Sequence, residues 1–209
     1  MADIFALFDQ IKSSTPQPRG PVTHLIVGLG NPGAQYDGTR HNIGFLCLDA
    51  LASSASIRVN TAKVQALIGD GEISGKHVLL MKPQTYMNLS GDAVKAAADF
   101  YKIPAENIIV ICDDISFDPG IFRIRMKGSH GGHNGLRSIE ACLGSANYVR
   151  IKMGVGKKPH PEYDLADWVL GKQPKEDLDK GRVAAKDVEG AIKLILDGKH
   201  EEAMSRYSH

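Results

Sequence analysis

The sequence predicts one α/β domain around a central, mostly parallel or mixed sheet. The first ground is alternation: short apolar, β-prone runs take turns with segments whose apolar residues recur at helical spacing. The second is size, because 209 residues suit a single domain with one sizeable core. The third is composition. A chain that is 43% hydrophobic and 23% charged reads as soluble and globular, and no apolar run approaches the roughly 20 residues that cross a bilayer.

Residues 1–22 read as an N-terminal extension and linker, and 23–209 as the domain. A short amphipathic segment (Ile4, Phe5, Leu7, Phe8, Ile11) runs into SSTPQPRG, which is linker-like. Asp3 and Asp9 flank IFALF with no basic region before it, so the segment does not read as a secretory signal. HLIVGL (His24–Leu29) predicts a buried strand, followed by a Gly-rich loop to His41. Asn42 is placed to cap a helix over NIGFLCLDALAS. Strands are expected at Val64–Ile68 and Val78–Met81, then a helix over GDAVKAAADFYK, capped by Asn88 or Ser90 and stopped before Pro104. IIVIC (Ile108–Cys112) predicts a buried strand ending at Asp113, and Asp118-Pro119-Gly120 a turn. IFRIRM alternates apolar and basic residues, which predicts a strand with one basic face. Asn134 can cap a helix over GLRSIEACLG. Tyr148–Val155 is a second alternating strand, with Arg150 and Lys152 on one face, and the chain from Pro174 onward reads as helical.

The net charge of +1 hides a strong asymmetry. Ile121–Lys158 holds eight Lys or Arg (Arg123, Arg125, Lys127, Arg137, Arg150, Lys152, Lys157, Lys158) against Glu140, a local +7 that leaves −6 for the rest. Clustered positive charge is the footprint of phosphate binding, although a solvated basic face has the same composition. Cys47, Cys112 and Cys142 each sit among apolar residues and form no CxxC pair, so they read as reduced, buried thiols of a cytoplasmic protein.

GLGNPG (Gly28–Gly33) satisfies GxGxxG after a strand, and Asp49 follows about 20 residues on, as the dinucleotide fingerprint asks. That site needs a helix starting inside the glycines, so that its N–H groups meet the pyrophosphate. Here AQYDGTRH follows without helical periodicity, which argues against a dinucleotide-dependent oxidoreductase. GxxxxGK[ST] and GxSxG are both absent.

Four loops carry polar residues that a core does not require: GLGNPG, TRHNIG, YMNLSG and HGGHNGL. Each permits a plain reading. Asn31 can be a turn residue before Pro32, His41 a surface histidine, Asn88 and Asn134 helix caps, Asp113 and Asp114 turn acids. His130 and His133 have HxxH spacing, but two ligands without an evident third do not make a metal site, and packing or RNA contact suits them better.

Together, LIVGLGNPGAQYDGTRHNIGF, KPQTYMNLSGDAV, the strand-end acid and GSHGGHNGLRSIE resemble the bacterial-type peptidyl-tRNA hydrolase family, over roughly residues 24 to 197. The resemblance implies a single domain with a central mixed, mostly parallel twisted sheet flanked by helices. It implies hydrolysis of the ester joining a peptide to the 3′ end of tRNA, without metal or cofactor. His41 matches the catalytic base, Asp113 its acid partner, and Asn31 the residue holding substrate and attacking water. Met87 and Asn88 match positions lining the peptide and terminal adenosine, Asn134 a third cleft asparagine, and Tyr36 an aromatic beside the channel. Arg125 and Lys152 match two positions that clamp a tRNA phosphate. The family often has arginine where Lys152 stands, and often HDELD where this chain has CDDIS, so Asp113 is chosen over Asp114 by register. Residues before the domain have no counterpart.

The chemistry suits an ester. Water attacks poorly unless its proton is removed, and an imidazole, with a free pKa near ~6.5, is a suitable base at cytosolic pH. A carboxylate on the other ring nitrogen fixes the tautomer, and neutral amides can hold the developing oxyanion without adding negative charge. Sequence-blind phosphate contacts suit an enzyme serving many tRNAs. KKPHPEYDLADWVL, with its two prolines, is expected to lie over the cleft as a lid. The other readings are a non-catalytic tRNA- or ribosome-binding module of the same fold and the oxidoreductase. The paired His41 and Asp113 argue against the first, and the lack of a helix starting inside the glycines argues against the second. No membrane partner is expected, and the chain is expected to be a monomer.

Overall fold

The computed structural model describes residues 20–208, and the amphipathic segment read at the N-terminus lies outside them. Seven strands form one sheet: β1 (His24–Gly28), β2 (Thr61–Lys63), β3 (Ala66–Ile73), β4 (Lys76–Pro83), β5 (Ile108–Asp114), β6 (Phe122–Arg125) and β7 (Val149–Gly154). Their spatial order is β2-β3-β4-β1-β5-β7-β6. The four central strands run parallel, whereas β3 and β2 at one edge and β6 at the other are antiparallel. The sheet is thus mixed and mostly parallel at its centre. β1 and β5 are almost continuously apolar because helices cover both their faces.

One face is covered by α1 (Ile43–Ser54), α5 (Lys175–Leu196) and α6 (His200–Tyr207), the other by α2 (Ser90–Tyr101) and α3 (Asn134–Leu143). A short helix, α4 (Leu165–Leu170), lies near the carboxyl ends of the central strands. α1 buries Ile43, Gly44, Cys47, Leu48, Leu51 and Ala52, the stripe expected from helical spacing. Among the described residues, no helix is long and apolar enough to cross a membrane.

The glycines that imitate a dinucleotide fingerprint have a packing purpose. A Cβ on Gly28 would lie 2.3 Å from the Gly44 carbonyl oxygen, and one on Gly44 would lie 2.5 Å from the carbonyl oxygens of Leu29 and Ile111. Only bare backbone lets α1 settle so close to β1 and β5. The chain after Gly33 forms short 3-10 turns, and its α-helix starts at Ile43, as the failed fingerprint requires. Asp49 is half exposed on α1 and pairs with Lys82 at 2.7 Å.

Several local expectations change. The strand expected at Val64–Ile68 is broken by a two-residue hairpin turn, with Val64 at φ 48° and Gln65 at φ 56°, between β2 and β3. Asn42 does not cap α1. Neither Asn88 nor Ser90 caps α2, since the Ser90 hydroxyl donates to the Met87 carbonyl. α3 is capped by His133 rather than Asn134. Arg150 keeps the strand face it shares with Lys152 but adds no outward charge, being 1% exposed on an inner strand beside the buried Tyr148. Its guanidinium stacks 3.9 Å from the Tyr148 ring centroid and donates to the carbonyls of Ala146 and Tyr148. The exposed charges of the basic stretch include Arg125 on β6 and Arg137 on α3, along with Lys127 and Lys157, whereas Arg123 and Lys152 are half-buried.

Candidate active site

Residues from four separate loops meet in one cleft of about 610 Å³ at the carboxyl ends of the central strands. That volume suits a small-molecule or chain-end ligand. Its lining includes Asn31, His41, Met87, Asn88 and Asn134 from the four loop motifs, and the strand-end acid Asp113. Lys152 lines it as well. Tyr36 does not. It packs edge-on against Tyr86, at 6.4 Å between centroids, and Tyr86 forms the wall. Arg125 stands outside the cleft, exposed on β6, and donates to the Ile124 carbonyl.

β5 ends in two acids whose side chains alternate across the strand. Asp113 is 4% exposed and meets His41, Nδ1 to Oδ1 at 2.6 Å. Asp114 instead pairs with Lys152 at 2.8 Å and accepts from the Ser116 N–H. Strand alternation thus separates two acids that sequence distinguishes only by register. The hydrogen bond also assigns the His41 tautomer. An ionised carboxylate can only accept, so Nδ1 carries the proton and Nε2 of the neutral ring keeps a free lone pair.

Asn31 is held from two sides. The Asn42 side chain grips its backbone, with Oδ1 accepting from the Asn31 N–H and Nδ2 donating to the Asn31 carbonyl, both at 2.9 Å. The Asn31 side-chain oxygen accepts from the Met87 N–H at 2.7 Å. Its Oδ1 is therefore committed, and the amide Nδ2 is left as a donor for a ligand. This task occupies the Asn42 side chain that sequence assigns to capping.

The sequence offers His133 only as packing, RNA contact or half of a metal pair. Its Nε2 lies 2.9 Å from the same Asp113 oxygen that His41 uses. Its Nδ1 accepts from the N–H groups of Gly135 and Leu136, at 3.1 and 3.3 Å. The two imidazoles are 5.0 Å apart between centroids. Burial would raise the Asp113 carboxyl, but attraction to the two rings and their N–H bonds outweigh it, holding the group well below the usual carboxylate range. Donor atoms of His41, Asp113 and His133 lie within 4.8 Å of one another, close enough to converge on an ion. Both ring-to-carboxylate distances are nonetheless those of direct hydrogen bonds.

The roof is α4, through Leu165, Ala166, Val169 and Leu170. It belongs to the segment read as a lid, although the residues between Lys157 and Asp164 do not themselves line the cleft. Arg40, the neighbour of His41, lies 3.4 Å from the Trp168 ring centroid and donates to the carbonyls of Trp168, Gly171 and Lys172.

Fold and site define a class: an α/β protein with a histidine–carboxylate pair in an amide-lined cleft beside basic strands. The family model described as Peptidyl-tRNA hydrolase matches residues 25–209. The chain is 51% identical over 185 residues to a peptidyl-tRNA hydrolase of Lachnospira eligens, covering 88% of this chain and 99% of that one. It is 52% identical over 186 residues to one of Agathobacter rectalis, covering 88% and 100%. The crystal structure of peptidyl-tRNA hydrolase from Acinetobacter baumannii superimposes with a TM-score of 0.84 at 36% identity, covering 92% of this chain and 97% of that one. This chain belongs to the peptidyl-tRNA hydrolase family.

Proposed function

We propose that this chain hydrolyses the ester between a peptide, or an N-blocked aminoacyl group, and the 3′-terminal ribose of tRNA, freeing the tRNA for translation. The observation that carries this reading is the Asp113–His41 hydrogen bond, which leaves Nε2 of His41 bare at the cleft. Nε2 takes the proton of an attacking water as its oxygen bonds to the ester carbonyl carbon. The Asn31 amide donates to the carbonyl oxygen as it gains charge, and Asp113 stabilises the imidazolium. The proton then passes to the departing ribose oxygen. Asn88 and Asn134 offer further amides along the same wall, and Met87 and α4 give apolar surface for a peptide. The reaction needs no metal, and the enzyme acts in the cytoplasm as a monomer. A non-catalytic tRNA-binding module would not require the bare base and the committed asparagine.

The test is release of free tRNA from N-acetyl-aminoacyl-tRNA by purified protein with chelator present. Turnover is expected. Failure with chelator but activity after metal addition would overturn the metal-free mechanism, and failure in both would overturn the assignment.

Arg125 is proposed to meet a tRNA phosphate from the outer wall, its exposed guanidinium free to leave the Ile124 carbonyl. Arg125→Glu is expected to weaken tRNA binding and flatten its dependence on log salt, by roughly 0.7–0.9 for each phosphate no longer neutralised. A salt titration of binding checks this, and an unchanged slope removes Arg125 from the phosphate site. Lys152 is less free, because its ammonium already neutralises Asp114.

A further inference from the structure

We propose that His133 is a positioning residue of this site: the N-terminus of α3 holds it as the neutral Nε2–H tautomer, and that N–H divides the Asp113 carboxylate between two imidazoles. The inference rests on the hydrolase reading and adds a role for a histidine that the reaction itself does not use.

The helix sets the tautomer. The first N–H groups of any α-helix lack intrahelical partners. In α3, those of Gly135 and Leu136 both point at Nδ1 of His133. A ring nitrogen that accepts hydrogen bonds carries no proton, so the remaining proton sits on Nε2. Protonating Nδ1 would break both bonds and set a positive ring against the positive end of the helix dipole. Nε2–H then points at Asp113 Oδ1, 2.9 Å away. That oxygen accepts from His41 at 2.6 Å as well. Without the His133 donor, the whole carboxylate charge would face His41 and favour its protonated form, which cannot act as base. Sharing the oxygen tempers that pull while leaving Asp113 ionised.

Other groups near the pair are already matched or turned away. Asp114 is neutralised by Lys152, Arg137 lines the cleft from the first turn of α3 with its side chain exposed to solvent that screens its charge, and burial keeps the neighbouring Cys112 thiol protonated. His130 accepts from the Gly132 N–H and does not line the cleft, and Arg40 is engaged by the Trp168 segment.

Two substitutions divide the ring's functions. Asparagine places an acceptor where Nδ1 stands but has nothing at Nε2. Glutamine can place an N–H near Nε2 but loses the cap acceptor. His133→Asn is expected to keep Tm close to that of the parent and to move the acid limb of kcat/KM up by roughly half a pH unit or more. His133→Gln is expected to lower Tm by roughly 2–4 °C while its acid limb stays near the parent's. Nitrogen-15 NMR of the parent's imidazoles should show His133 with Nδ1 bare and Nε2 protonated throughout the titration of His41. An unmoved limb in His133→Asn, a limb in His133→Gln that moves as far as in His133→Asn, or a proton on Nδ1 in the spectrum would overturn the proposal. The spectrum reads the tautomer without turnover, so absence of hydrolysis by the parent would count against the hydrolase reading alone.

Discussion

His41→Ala is expected to lower kcat/KM on N-acetyl-aminoacyl-tRNA by about 10²–10⁴-fold, the usual worth of a positioned general base. Affinity for tRNA should persist, because the phosphate-binding cations of the wall are separate side chains that the substitution leaves in place. The residual rate should show no acid limb from this histidine, since attack would then fall to unassisted water. The side chain is buried, but it lies in the 3-10 turn just before α1 rather than within either core cluster, so folding should survive its loss. Single-turnover hydrolysis and a tRNA-binding titration on the same preparation separate the two effects. Hydrolysis near the parent rate would mean that another group removes the proton, and the assignment of Nε2 as base would fail.

Asp113→Asn should cost nearly as much in rate and should also register in stability. A neutral amide can accept from the two rings but brings no charge to balance an imidazolium. In the related serine-hydrolase triad, the same exchange lowers kcat about 10⁴-fold. The stability effect has a definite sign. The folded-state carboxyl of Asp113 is depressed, so between its folded value and the unfolded value of about 3.9 the folded chain binds fewer protons than the unfolded one. Its contribution is therefore present above the unfolded value and is lost as pH falls through the folded one. Asp113→Asn is expected to melt below the parent at neutral pH, with the gap narrowing as pH drops below about 4. Melting curves at pH 7 and pH 3.5 check this, and a constant gap would mean that the ionised form is not selectively stabilised by folding.

Much of this site is legible before folding because its chemistry sits in punctuated loops. GLGNPG, TRHNIG, YMNLSG and HGGHNGL each end or begin an element, and the parallel centre of the sheet gathers those ends at one rim. What a polar side chain does once there is harder to read. Asn42 and Asn134 have the composition of helix caps; the family resemblance already puts Asn134 in the cleft, but only the fold reveals that it caps nothing and that Asn42 grips the Asn31 backbone. His133 is an unusual cap, so propensity does not suggest it. The β2–β3 turn carries valine and glutamine at positive φ, without the Asn-Gly or Asp-Gly signal that announces such hairpins. Arg150 follows the alternation of an edge strand but occupies an inner one, and strand order is a long-range fact that periodicity does not encode.

The stack of Arg40 on Trp168 links chain segments more than a hundred residues apart, immediately beside the His41 imidazole. One guanidinium thus acts as a hinge pin between ceiling and floor. Raising α4 to admit a bulkier guest would break these Arg40 contacts or pull on the backbone next to His41, so the aperture of the chamber and the setting of that ring are coupled.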